Sequence, residues 1–259
     1  MKKTLLVALG VCLVCSVLVS SAAVALKPKQ EENKKLDKLK NILIAGNLYN
    51  ETTDIEKTYS EKISSAVIDM KTGETLDADN IPEILKPENF DIRKIAVDPE
   101  YGTKLSASED VAGIRNIPAK MNIYQVKENN VTQKYILPVY GKGLWSTMYG
   151  FLAIDKDLQT VKGITFYEHG ETPGLGGEID NPRWKQIWVG KKIFDNSGEL
   201  KLTVIKSVVD SADPEKDYKI DGLSGSTITT RGVDYMVKFW LGENGYKPFL
   251  NKLKGGSNE

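Results

Sequence analysis

Residues 134–167, KYILPVYGKGLWSTMYGFLAIDKDLQTVKGITFY, decide how the fold is read. Within them Tyr135–Tyr140, Tyr149–Ile154 and Gly163–Tyr167 are rich in β-branched and aromatic residues and are separated by glycines. Such runs read as successive strands of one sheet. Downstream, KLTVI at Lys201–Ile205 reads as a further strand. NPRWKQIWV at Asn181–Val189 reads as a helix with Pro182 at an early position. Val233, Met236, Val237 and Trp240 recur at helical spacing and predict a helix over roughly 230–241. Upstream, residues 63–75 (ISSAVIDMKTGET) suggest a short strand and a turn. From about 77 to 120 the pattern is irregular, with Pro82, Pro87, Pro99 and Pro118, and reads as loops and short elements of a peripheral lobe.

Further upstream, KPKQEENKKLDKLK at 27–40 reads as a solvated linker running into a helix that carries Leu36, Leu39, Ile42 and Leu43 and stops at Gly46-Asn47. From Thr4 to Leu26 no charge interrupts TLLVALGVCLVCSVLVSSAAVAL. As a helix this run spans roughly 34 Å, enough to cross a hydrocarbon core of about 30 Å. A cleaved signal peptide with Ala23 or Ala25 near its cleavage site is the competing reading. The run exceeds the usual h-region of about 7–15 residues, which favours a retained single-pass anchor. The expected class is therefore α+β: one N-terminal transmembrane helix followed by a mixed α/β domain. The expected divisions are an anchor at 1–26, a linker helix with a peripheral lobe at 27–130, and the main domain at 131–259.

Lysine plus arginine and aspartate plus glutamate both total 35, so the chain lacks the basic excess of a nucleic-acid binder. Both cysteines, Cys12 and Cys15, lie in the apolar run and read as small lipid-facing residues. The remainder has no thiol for a disulfide or a thiolate metal site, and no metal site is expected. Six lysines follow the run within about 15 residues, against two before it; by the positive-inside rule this places the main domain in the cytoplasm.

Three stretches could carry chemistry. The first is DGLSGSTITT at Asp221–Thr230, just before the C-terminal helix. Glycines and hydroxyls at a helix N-terminus suit an anion. On the residues alone, a helix cap made by Thr229 or Thr230 is the stronger reading. The second is EHGETPGLGG at Glu168–Gly177, a Gly/Pro-rich turn able to wrap a planar ligand. It holds His169, the only histidine; without metal-ligand or triad partners it reads as structural, and no catalytic residue is assigned. The third is KGLWSTMYG at Lys142–Gly150, read equally as a pocket wall or as a hairpin with a core tryptophan.

Together these stretches resemble the Nqr/Rnf family of flavin-binding subunits. The likeness is to the C-type subunit of the sodium-translocating NADH:quinone oxidoreductase, and more distantly to the G-type subunit of the Rnf complex. DGLSGSTIT looks like that family's flavinylation motif, with Ser226 where alanine is usual; HGETPGLG, GLWSTMYG, the anchor and KLDKLKNIL also match. The resemblance implies an electron-relay subunit of a bacterial inner-membrane respiratory complex that passes electrons from NADH toward ubiquinone. It implies FMN held covalently, through a phosphoester attached by a flavin transferase, at Thr227. Asp221 would serve the motif, and Ser224, Gly225 and Ser226 would line the phosphate side. Leu144, Trp145, Ser146 and Thr147 would border the flavin, as would Glu171, Thr172, Leu175 and Gly176. Other subunits of the complex are the implied partners, and the domain is implied to lie outside the cytoplasm, against the lysine count. An Rnf-type subunit and a cofactor-free, membrane-tethered binding domain remain the alternatives.

Overall fold

The computed structural model describes residues 2–256. The helices are α1 (Lys2–Ala45), α2 (Ile55–Lys62), α3 (Ile92–Ala96), α4 (Pro182–Gln186), α5 (Thr227–Trp240) and α6 (Lys247–Gly256). The strands are β1 (Ile63–Asp69), β2 (Gly102–Lys104), β3 (Asn116–Pro118), β4 (Lys120–Glu128), β5 (Val131–Lys142), β6 (Thr147–Asp155), β7 (Val161–Glu168), β8 (Thr203–Val204) and β9 (Lys219–Ile220). By contacts the chain forms two compact units, Met1–Leu39 and Lys40–Glu259. In the first unit α1 is exposed, and it is the one helix among the described residues long and apolar enough to cross a membrane. The stretch expected as a solvated linker is helical, because α1 runs without a break through residues 27–40.

The second unit is built on an antiparallel sheet in the order β1-β4-β5-β6-β7. The strand pairing crosses the division expected at 130/131, since β1 and β4 supply one flank of the same sheet. β4 and β5 join through Asn129-Asn130, both at positive φ (50° and 63°). That is the backbone of the two-residue turn that fits strand twist. Both faces of the sheet are covered. One packs on α5 and α6 through Leu137, Val139, Val233, Met236, Val237, Trp240 and Phe249. The other packs on Ile42, Leu43 and Ala45 with Tyr124, Val126, Ile136 and Phe151. The helix end that reaches this face stops as the sequence suggests. Asn47 turns to φ 57°, and Leu48 N–H returns to Leu43 O at 2.8 Å. Lys134 Nζ closes the end by donating to Gly46 O at 2.6 Å.

The placement of α5 positions the site. Pairing of β4 with β5 ends at Tyr124↔Ile136, which leaves later β5 carbonyls without a strand partner on that side. Two side chains take their place: Tyr246 OH donates to Pro138 O at 2.6 Å, and Trp240 Nε1–H donates to Tyr140 O at 2.7 Å. The helix can lie this close because Gly141 and Gly232 have no side chain. A Cβ on Gly232 would stand 2.4 Å from Lys142 O, and one on Gly141 would stand 2.6 Å from Met236 Cβ. α5 therefore meets the end of β5, and its first turn faces the β5–β6 connection at 143–146.

Three expectations on helices and strands change. KLTVI contributes only the two-residue β8, paired in parallel with β9, and buried Asp234 of α5 fastens it by accepting the Thr203 hydroxyl (2.7 Å) and Val204 N–H (2.9 Å). The helix expected at 181–189 is the single turn α4, capped by Asn181. The C-terminal helix begins at Thr227 rather than near 230, and α6 follows it without having been anticipated.

Candidate functional site

One carboxylate organises the site. Glu171 is 4% exposed, and its oxygens accept four hydrogen bonds. Oε1 takes the N–H of Trp145 (2.9 Å) and of Ser146 (3.3 Å). Oε2 takes Leu144 N–H (3.1 Å) and the Thr229 hydroxyl (2.6 Å). The residue thus ties the β5–β6 connection, the turn after β7 and the first turn of α5 into one unit. Gly143 and Gly176 are glycines because a Cβ there would stand 2.6 Å and 2.9 Å from its carboxylate oxygens. Burial pushes the Glu171 carboxyl up, but the Thr229 hydroxyl and the amides of Trp145, Leu144 and Ser146 outweigh it and hold it below the ordinary range.

His169 supports this arrangement from behind. Its Nδ1 accepts Glu171 N–H at 3.1 Å, so Nε2 carries the proton toward Asp180 Oδ2 at 2.7 Å. Ser146 closes the same turn, with its hydroxyl oxygen accepting Gly170 N–H at 2.6 Å.

At the start of α5, Gly225 sits at φ 73° and Ser226 is the helix cap residue but makes no capping side-chain bond. The helix has no acidic residue in its first turn. The cap expected from Thr229 or Thr230 is not formed, since both lie inside the helix and serve other partners. Thr229 reaches Glu171, and the Thr230 hydroxyl accepts Leu223 N–H at 3.0 Å. Thr227 is the first helical residue and is exposed.

Between these elements lies a cleft of about 380 Å³, near the lower end of the range for small-molecule sites. It is lined by Leu144, Trp145, Glu171, Thr172, Leu175, Gly176, Gly225, Ser226, Thr227, Ile228 and Thr229. Ser146, Thr147, Ser224 and Asp221, expected at the flavin or its motif, are not among the lining residues. The Asp221 carboxylate instead accepts Val209 N–H at 2.8 Å, and its carbonyl accepts Trp184 Nε1–H at 2.8 Å. Ile228 and Thr229 line the cleft without having been singled out for it. The signal for both was their position, since residues one and two places after a helix start share its first turn.

The cleft suits FMN on its own chemistry. Leu144, Trp145, Leu175 and Ile228 are 44–66% exposed around it, an apolar rim for a flat ring system. An exposed hydroxyl at an uncapped helix N-terminus, where backbone N–H groups lack partners, suits a phosphate.

An N-terminal helix long and apolar enough to cross a membrane, and an apolar-rimmed cleft at a helix N-terminus, are the features of a membrane-tethered flavin-binding protein. The family model for an FMN-binding domain matches residues 143–242. The C subunit of the Na(+)-translocating NADH-quinone reductase of Pseudomonas aeruginosa is 45% identical over 257 residues, 98% of this chain and 96% of that one. Its counterpart in Neisseria meningitidis serogroup B is 46% identical over 253 residues, 97% and 93% of the two chains. The crystal structure of Shewanella oneidensis NqrC matches with a TM-score of 0.76 at 31% identity, over 86% of this chain and 99% of that one. The chain belongs to the NqrC family, the C subunits of the Na(+)-translocating NADH-quinone reductases.

Proposed function

We propose that this chain is the electron-relay subunit of a Na(+)-translocating NADH-quinone reductase and carries FMN through a phosphoester to Thr227. The observation that carries the attachment is the Thr227 hydroxyl itself. It is exposed on the first residue of a 14-residue helix whose N-terminus has neither a cap bond nor an acid, at the edge of the cleft. A flavin transferase using FAD makes the bond: the Thr227 oxygen–phosphorus bond forms, the pyrophosphate bond of FAD breaks, AMP leaves, and the hydroxyl proton is lost. Bound FMN supplies reversible electron uptake and release. The protein's part is to hold the phosphate at the helix N-terminus and to shield the ring with Leu144, Trp145, Leu175 and Ile228. Glu171 fixes the loop that bears the first two. The relatives named above are subunits of a multi-subunit complex, and other subunits of that complex are the partners.

Expression with a flavin transferase tests the attachment. The expected result is a flavin-fluorescent band that survives denaturation, with the flavin mass on the tryptic peptide at 220–231. A colourless protein would leave a tethered binding domain as the better account.

The domain is placed outside the cytoplasm, where a cofactor that dissociated could not readily be replaced; covalent attachment answers that need. Alkaline phosphatase fused at the C-terminus is expected to be active. Fluorescence from a cytoplasm-only reporter at the same position would reverse the orientation and vindicate the lysine count.

A further inference from the structure

The cleft holds no basic side chain among its lining residues, and the ionised carboxylate of Glu171 stands in its wall. A phosphodiester on Thr227 would therefore add a second negative charge to a site that offers only neutral donors. The nearest cation in the sequence is Arg231, one helical turn after Thr227. Both residues are exposed, and the carboxylate of Asp234, three residues after Arg231, is already taken up by the Thr203 hydroxyl, Val204 N–H and Lys238 Nζ. No hydrogen bond or ion pair holds the Arg231 guanidinium among the described residues, whereas Arg93 is engaged by Glu168.

We infer that Arg231 is a phosphate-binding residue for the attached FMN, which rests on the reading of Thr227 as the acceptor. Three physical arguments converge. Side chains four apart on a helix are neighbours, with Cβ atoms about 5–6 Å apart. Helical side chains lean toward the N-terminus, so Arg231 covers the turn that bears Thr227. The order anion first, cation four residues later is the favourable one along a helix. A cation this near a helix N-terminus is otherwise opposed by the macrodipole, and α5 has no acid in its first turn to offset it. The phosphodiester supplies that charge, and a guanidinium can meet two of its oxygens at once.

The test compares full-length chain in detergent, with and without covalent flavin, as wild type, Arg231→Gln and Arg231→Lys. Band fluorescence is read first; a wild type without it overturns the Thr227 reading and this inference together. Where the band is present, the unmodified forms are expected to melt together. Flavinylation is then expected to raise the Tm of Arg231→Gln by about 2 °C less than that of wild type. Arg231→Lys should recover part of the difference, and 0.5 M NaCl should shrink it. The phosphodiester ³¹P resonance should also move in Arg231→Gln. Equal melting gains in all variants with an unmoved ³¹P resonance would overturn the role of Arg231 and leave the Thr227 linkage standing.

Discussion

Thr227→Ala is expected to abolish flavin fluorescence in the denatured band and to leave the fold intact. The two halves of this result have separate causes. The exposed Thr227 side chain makes no hydrogen bond among the described residues, so its loss should shift unfolding by no more than about 0.5 kcal/mol. The linkage, by contrast, needs a hydroxyl, and few in the segment can serve. Thr229 and Thr230 are each 1% exposed and bonded, the first to Glu171 and the second to Leu223. Ser226 is 8% exposed. Ser224 is the other exposed hydroxyl, but it lies ahead of the positive-φ Gly225 and outside the first turn of α5. A mutant that kept a fluorescent band would place the ester on a neighbouring hydroxyl, and the tryptic peptide at 220–231 would show which.

Much of the fold lies open in the residues. The β-branched and aromatic runs around 134–167 become β5, β6 and β7, and the periodicity of Val233, Met236, Val237 and Trp240 becomes the buried face of α5. What escapes the sequence depends on contacts between distant residues. The start of α5 is displaced because Ser-Thr-Ile-Thr-Thr offers several hydroxyls of similar capping preference. Only the meeting of Thr229 with Glu171, 58 residues away, shows which threonines lie inside the helix. The membership of β1 and β4 in the sheet is hidden because a proline-rich lobe separates them, although Asn129-Asn130 marks the hairpin that ties β4 to β5. The site divides along the same line. Motif residues that need only local geometry, such as Gly225, Ser226 and Thr227, meet at the cleft. Asp221 turns away to fix the 207–209 segment, a role that no spacing within the motif announces.

Glu171→Ala should give the converse of Thr227→Ala: a fluorescent band retained, and a fold weakened. The acceptor hydroxyl is untouched, so attachment persists. The loss falls on the loop, where Leu144, Trp145 and Ser146 amides and the Thr229 hydroxyl are left without their acceptor. Water can reach some of these groups once the side chain is gone. The cost is therefore about 3 kcal/mol rather than the full penalty of four orphaned donors, a fall in Tm of about 8 °C. Glu171→Gln separates charge from shape, because its amide group must present a donor to one of the same donors. The pH dependence follows from the lowered carboxyl. Above the ordinary value of 4.5 the carboxylate is ionised in both states, and its contribution is fully present. As the pH falls below that value the unfolded chain takes up the proton first, so the contribution declines and is gone once the pH has passed through the folded value. Wild type should therefore lose stability on acidification faster than Glu171→Gln, and the two melting curves should converge toward low pH. A constant gap between them from pH 7 down to pH 3 would show that the loop is held by packing of the side chain and not by its charge.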